Sequence, residues 1–434
     1  MSSVGNVNSR ILDATFDRQN LRCEFRLPSN SAFLSDFRLI NIGLTSDNAD
    51  DAPHRSLGIL GAIKRVTLFD GSTQLDTIAT APIYQAFRNL NKANDTNMSE
   101  ARHLNYNQLG YLIQGNYTIG GDNQFGLTVP NVHQQGFLTY GGSALNSKEA
   151  WISLKELLPF LRSSMVLPTN VYRQLRVVVE YNSSAEMRLL TQKTNSTKNT
   201  RSNSLLLVEE LQEGDMKDSI MNQYQGVVYR PIEHEQVSVP ASTATLADTP
   251  AQATSVQRNN YLINGFNNKK LIKLAIVKSP TVENTFVTAN ELQGFGSLSS
   301  IAPFKESVQI RVNGQNMIAG EGISGSPTGS SGNRQLSYLN DSWGIFNIVS
   351  GSQFSALANN ARYLPTGITA LQGQQSYIGL NIDATIAELQ LHYDRTLVFD
   401  NDENNQPYNL NLYGEVEKAV VMNKDGTYNV IYVN

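Results

Sequence analysis

Apolar and polar residues alternate along this chain in short runs, and the runs are punctuated by turn dipeptides. In "RVTLFDGSTQLDTI" (residues 65–78) the pair Asp70-Gly71 separates two strand-like stretches, and in "SVQIRVNGQNMI" (307–318) Asn313-Gly314 does the same. Such pairs tolerate the positive φ of a tight two-residue hairpin. A third run, "AVVMNKDGTYNVIYV" (419–433), carries Asp425-Gly426 and predicts a closing antiparallel ribbon. Helical spacing is rarer. "TAPIYQAFRNLNKA" places Ile83, Phe87 and Leu90 three to four residues apart, which suits a surface helix against a sheet. "SKEAWISLKELLPFL" predicts a helix opening at Ser147 and breaking near Pro159, and "GDMKDSIMNQY" a third.

The strand pattern repeats. "LPTNVYRQLRVVVEY" (167–181) is echoed by "IDATIAELQLHY" (382–393), so that Leu175 matches Leu389. Upstream, "FRLPSNS" then "DFRLINIGLTS" is echoed by "VSVPAST" then "NKKLIKLAIVKS", matching Pro28 with Pro240 and Leu39 with Leu271. Gly71 matches Gly314 between them. Four matches in the same order, at offsets near half the chain, imply a duplicated domain with loops of unequal length.

Length agrees. At 434 residues the chain exceeds what one core usually fills, so two domains are expected. The boundary is placed in "EELQEGDMKD", giving domains 1–215 and 216–434. Hydrophobic residues make up 40% and charged residues 17%, and Tyr, Asn, Ser, Thr and Gly are plentiful, which favours an all-β chain with a few short helices. Residues 192–203, 240–255 and 320–335 read as polar or Gly/Ser-rich loops, the last two as insertions in the second domain.

Charge and hydropathy narrow the partners. The net charge of −4, with no long Lys/Arg run, argues against sequence-specific nucleic-acid binding. The longest apolar runs are of the size of Leu205–Val208, far short of a membrane span, and residues 1–20 lack the pattern of a signal peptide, so the protein is expected to accumulate in the cell that makes it. The single Cys23 alternates with charged residues in "LRCEFRL" and reads as a buried strand position.

Candidate chemistry is sparse, and no catalytic, cofactor-binding or metal-ligating residue is nominated. "GISGSPTGSSGNR" lacks the Gly-Lys-Ser/Thr ending of a phosphate loop, and "FGSLSS" (295–300) lacks the spacing of a nucleophile elbow. The five histidines, His54, His103, His133, His234 and His392, are scattered. His234 is flanked by Glu233 and Glu235, but neighbours on a strand face opposite ways and do not share a metal, so an exposed strand position is expected. The acidic runs Asp47–Pro53 and Phe399–Pro407 lack the spacing of a calcium loop and read as solvated turns.

The duplicated pattern, above all "ISLKELLPFLRSSMVLPTNVYRQLRVVVEY" (152–181) with its proline-terminated helix, loop and late strand, resembles the double jelly-roll major capsid proteins of double-stranded DNA viruses, of the virophage and polinton-like type. The resemblance implies two consecutive eight-stranded jelly-roll sandwiches and a homotrimer forming a pseudo-hexameric capsomer. It further implies tiling into an icosahedral shell, often over an internal membrane, with penton and minor capsid proteins as further partners, no enzymatic activity and no cofactor. It places the protein in the virion, assembled inside the host cell. A second reading is a two-domain β-sandwich that binds or processes glycans. With only Trp151 and Trp343 the chain is poor in the flat platforms such sites use, and Trp343 in "NDSWGIF" is the residue that tests it. A third is a surface adhesion module, for which calcium dependence is the discriminating property.

Overall fold

The computed structural model describes residues 7–17, 21–40, 59–89, 151–183, 204–241, 254–281, 306–320, 322–324, 341–343, 378–398 and 407–433, and the fold is that of these residues. The first half of the chain supplies β1 (Val7–Asp13), β2 (Thr15–Asp17), β3 (Arg22–Arg26), β4 (Ala32–Leu34), β5 (Arg38–Ile40), β6 (Ile63–Asp70), β7 (Thr73–Ala79), β8 (Trp151–Ser153), β9 (Val166–Pro168), β10 (Leu175–Tyr181) and β11 (Leu205–Leu211). The second half supplies β12 (Gly226–Tyr229), β13 (Ile232–Val239), β14 (Thr254–Ile263), β15 (Lys270–Pro280), β16 (Glu306–Val312), β17 (Gln315–Asn316), β18 (Ile323–Ser324), β19 (Ile378–Thr385), β20 (Leu389–Val398), β21 (Tyr408–Val416), β22 (Lys418–Met422) and β23 (Tyr428–Tyr432). Four short α-helices accompany them: α1 (Ala81–Asn89), α2 (Leu154–Leu157), α3 (Pro159–Ser163) and α4 (Asp215–Gln223).

In the first half, one sheet runs β1-β11-β5-β8, with the short β4 and β9 beside it, and the other runs β3-β10-β6-β7, with β2 outside β3. In the second half the sheets run β13-β21-β15-β19 and β14-β20-β16-β17, with β18 beside β16. Stripped of the short extras, each half has eight strands in chain order, arranged as first-eighth-third-sixth in one sheet and second-seventh-fourth-fifth in the other. Both halves thus wrap two antiparallel sheets in the same order, the double-sheet arrangement that packs alternate side chains into one core.

The repeat heard in the sequence is real at two of its four anchors, one residue out at a third and absent at the fourth. Leu175 pairs with Asp70, the residue before one hairpin turn, and Leu389 pairs with Val312, the residue before the other. They therefore occupy the same register in the two sandwiches. Leu39 and Leu271 both lie in the third core strand. The Gly71 and Gly314 match is one residue out: the first loop is Gly71-Ser72, closed by the Asp70–Thr73 pair, whereas the second is Asn313-Gly314, closed by Val312–Gln315. Gly71 has φ +57, so the glycine takes the first loop position in one turn and the second in the other. The Pro28–Pro240 match fails. Pro28 follows the second core strand and Pro240 the first, so the two prolines end different strands.

Further differences follow from local physics. Trp151–Ser153, expected inside a helix, is a strand paired with β5, and the helix begins only at Leu154. Pro159 ends that turn and opens α3 at its first position, where its missing N–H costs nothing. Val177, Val178 and Val179 are all buried, in keeping with a strand covered on both faces. Cys23 is fully buried in β3, and burial raises its thiol pKa to about 11. The C-terminal ribbon forms as expected: β22 and β23 pair around Asp425-Gly426, joined by β12 into a three-stranded sheet.

Ser147, His54, His103, His133, "FGSLSS", the acidic run 47–53 and all but Pro407 of the run 399–407 lie outside the described residues. So do residues 192–203 and most of the two second-half loops.

Candidate functional site: the seam between the sandwiches

The two sandwiches are not beads on a string. One hydrophobic cluster holds the first sandwich's core together with Tyr229, Ile232, Ala275, Val277, Tyr413 and Val420 of the second. A separate cluster, with Phe266, Ile310 and Leu412, fills the second sandwich itself.

The seam begins where β7 turns into α1. Thr80 takes φ +47 at that corner, and its carbonyl accepts the Ile83 and Tyr84 amides, opening a helix whose Pro82 sits in the first turn. Tyr84 and Phe87, three residues apart, then face one way. They land on the outer face of the β13-β21-β15-β19 sheet, where His234 pairs with Tyr413 and Tyr413 with Ala275. Tyr84 and Tyr413 have ring centroids 5.1 Å apart, and Phe87 meets Trp343 edge-on at 5.4 Å. The Tyr413 hydroxyl lies 2.6 Å from Thr80 Oγ1, so the buried phenol has the partner it requires.

A second contact comes from the ribbon. The Tyr229 hydroxyl donates to the Leu75 carbonyl, and the Tyr428 hydroxyl donates to Asp70 Oδ2 at 2.6 Å. Tyr229 packs on Phe160 at 5.0 Å and Tyr428 on Tyr172 at 5.1 Å, both T-shaped. The inner face of the β12-β22-β23 sheet therefore lies on the first sandwich although its strands belong to the second half.

Two identically wrapped sandwiches, fused through a common core, decide the architecture, and the solved structures agree. PBCV-1 VP54, fitted into a cryo-EM reconstruction of the virophage Sputnik, matches 100% of this chain and 98% of its own at a TM-score of 0.53 and 11% identity. The PBCV-1 virus capsid matches with the same coverage at a TM-score of 0.52 and 12% identity. The fold is a double jelly roll. At such identities the likeness is one of fold. No protein-family model and no curated protein sequence matches the chain.

Two carboxylates of the double jelly roll, Asp76 and Glu233, lie at the same seam. Asp76, beside Leu75 on β7, is fully buried, and its carboxyl accepts the Phe160 amide at 2.7 Å and the Thr77 amide at 2.8 Å. Burial outweighs those two hydrogen bonds and lifts its pKa to about 7. Glu233 binds Lys418 at 2.9 Å, Lys269, and the Tyr432 hydroxyl at 2.5 Å. Burial opposes its charge, but the lysines hold its pKa below the usual carboxylate value. His234, expected to be exposed, is instead half-buried between Asn411, 3.0 Å from its Nε2, and the Tyr413 ring, and burial lowers its pKa. The outer sheet face it occupies is covered by the first jelly roll, which a single-strand pattern does not reveal. Glu233 and His234 do face apart, as neighbours on a strand must.

A cavity of about 660 Å³ opens along the seam, lined in part by Tyr84, Phe87, Arg162, Tyr229, Trp343 and Glu415. Four of its charged walls are mutually paired, Lys273 with Glu415 at 3.0 Å and Arg230 with Glu417 at 3.1 Å, while Arg162 turns to Glu156 outside the lining. Trp343, the residue singled out for glycan stacking, is committed to the seam. Its Nε1 donates to the Leu274 carbonyl at 3.1 Å, Phe87 meets its edge, and Lys273 lies 4.5 Å from its ring centre. Trp151 is half-buried under Arg38 at 5.2 Å. His392 hydrogen-bonds Asn260 on the neighbouring strand at 2.5 Å. Among the described residues no group of three or more His, Cys, Asp or Glu is placed to hold a metal, and no helix is long and apolar enough to cross a membrane. Asp76, Tyr229, Tyr413 and Tyr428 were not visible as a set in the sequence. The one local sign was Asp76 next to Leu75, a charge in β7 where Leu75 is the extra residue of a bulge opposite Leu68 and Phe69 of β6.

Proposed function

We propose that this chain is the major capsid protein of a double-stranded DNA virus, acting by association rather than turnover. Three copies form a pseudo-hexameric capsomer, and capsomers tile an icosahedral shell. The observation that carries the reading is the duplication: two jelly rolls of one strand order, fused by a shared core along a chain that two viral capsid structures match over its whole length. One chain with two equivalent walls lets a threefold assembly present six similar sides to six neighbours.

The division into domains 1–215 and 216–434 belongs to this proposal, with the amendment that the β12-β22-β23 sheet, drawn wholly from the second half, packs on the first sandwich. Penton and minor capsid proteins are the expected further partners. The seam supports a building block rather than an enzyme, because its buried polar groups are engaged with one another: Glu233 with two lysines, Asp76 with two amides, His234 with Asn411. The modest net charge of −4 suits close packing of many copies.

The test is the mass of the purified protein by light scattering. A species of three times 47.9 kDa is expected. A monomer at every concentration up to the solubility limit refutes the reading.

A further inference from the structure

Asp76 lies where elements of both jelly rolls meet. It stands on β7 and its carboxyl accepts the amide of Phe160 in α3, while β13 packs against β7 and β12 against α3. Tyr229, at the end of β12, closes this corner from the second half. Its hydroxyl donates to the carbonyl of Leu75, the residue before Asp76, and its ring meets that of Phe160 edge-on at 5.0 Å. The two groups that seat Tyr229 are thus the two that flank the carboxyl.

The counter-charge at this corner is shared. Among the described residues, Lys418 of β22, Glu233 of β13 and Tyr229 of β12 act on Asp76 or are acted on by it. Lys418 is bound to Glu233 at 2.9 Å, and Glu233 also binds Lys269 and the Tyr432 hydroxyl. Arg162 on α3 turns to the Glu156 carbonyl at 2.9 Å, Leu68 of β6 stands opposite Asp76, and His234 packs on the Tyr413 ring on the other face of β13. A charge on Asp76, which is 1% exposed, is therefore met by two backbone amides and a lysine already engaged. Burial in such a site disfavours the charged form and raises the carboxyl from 3.8 to about 7. Room for water lies alongside, because the seam cavity of about 660 Å³ is lined by Pro159 and Tyr229, on either side of the Phe160 contact.

We infer that Asp76 is a proton-controlled latch between the jelly rolls: uncharged, it lets Tyr229 close over β7 and α3, and loss of its proton opens that corner to the cavity while both sandwiches stay folded. The closed corner holds the proton and the open one releases it. The open form therefore grows as pH rises from the carboxyl's ordinary value of 3.8 to about 7, and levels off above. The latch is a property of the single chain and stands whether or not chains assemble.

The test is hydrogen exchange of the intact protein from pH 5 to pH 8, read by mass spectrometry, with labelling times scaled to the intrinsic exchange rate at each pH. Opening at residues 159–163 and 226–229 is expected to increase about fiftyfold between pH 5 and pH 7 and little beyond, while the core strand 408–416 stays protected at the same labelling times. Absence of that increase overturns the latch. So does an increase that 408–416 shares in full, since it marks a carboxyl that titrates only on global unfolding. In Asp76→Asn the increase is expected to vanish, and its persistence overturns the assignment to Asp76. Should the variant fail to fold, the wild-type series decides between latch and global unfolding by itself.

Discussion

Asp76 is a carboxyl that the fold holds at a cost, and that cost depends on pH. Its ordinary value is 3.8, and burial raises it to about 7 in the folded chain, against the pull of two backbone amides and Lys418 and with a push from Glu233. A group whose folded pKa is raised keeps its proton in the native state while the unfolded chain releases it. The stabilisation is complete below about pH 4, declines as pH rises towards 7, and is gone above it. Roughly three pH units correspond to about 4 kcal/mol. Asp76→Asn removes that dependence but presents an NH₂ to one of the two amides now bound, those of Phe160 and Thr77, at a cost of about 1–3 kcal/mol. Relative to the wild type the variant is therefore expected to gain about 2–3 kcal/mol between pH 5 and pH 8, ending as stable or more stable at pH 8. The assay is urea unfolding of both proteins at matched concentration from pH 4.5 to 8.5, read as the difference between them, which cancels the opposite contribution of His234. A difference that stays constant across that range refutes the claim that Asp76 titrates near neutrality.

Other outcomes follow from the same contacts. Tyr413→Phe removes one buried hydroxyl bond to Thr80 and is expected to cost about 1 kcal/mol, whereas Tyr413→Ala also empties the aromatic contact with Tyr84 and costs about 3–5 kcal/mol, both measured by chemical denaturation. Asn313→Ala is expected to lose about 1–3 kcal/mol, because the side chain donates to the Thr385 carbonyl at 2.9 Å and accepts the Ala387 and Glu388 amides at 2.8 and 3.1 Å. Trp343→Ala is expected to lower the melting temperature with no change on a glycan array, since the ring is spent on the seam; loss of a glycan signal that the wild type shows revives the sugar-binding reading. Cys23, with its thiol pKa raised to about 11, is expected to react with a thiol reagent at pH 8 only once denaturant is added.

Much of the fold was legible because it is written in local rules. Turn dipeptides located two hairpins and the C-terminal ribbon, and period-two alternation located the strands around them. The Leu175–Leu389 echo held because each leucine opens a strand beside a tight turn, a position set by short-range geometry. Pro28 and Pro240 misled because a proline after a strand marks any strand end and carries no identity. The segment around Trp151 looked helical since "WISLKELL" offers apolar residues at helical spacing; pairing with β5, a long-range contact, turned its first three residues into a strand.

The seam was the least legible part for the same reason. His234 looked exposed because strand alternation fixes which face a side chain takes but not what lies on that face. Tyr413 and Thr80 are separated by most of the chain, and no spacing rule joins them.

The central claim is that two equivalent jelly rolls per chain become six equivalent walls in three chains. A cryo-EM reconstruction of the purified assembly, computed without imposed symmetry, tests it most directly. The account predicts a threefold particle with a six-sided outline. A particle of any other symmetry contradicts it.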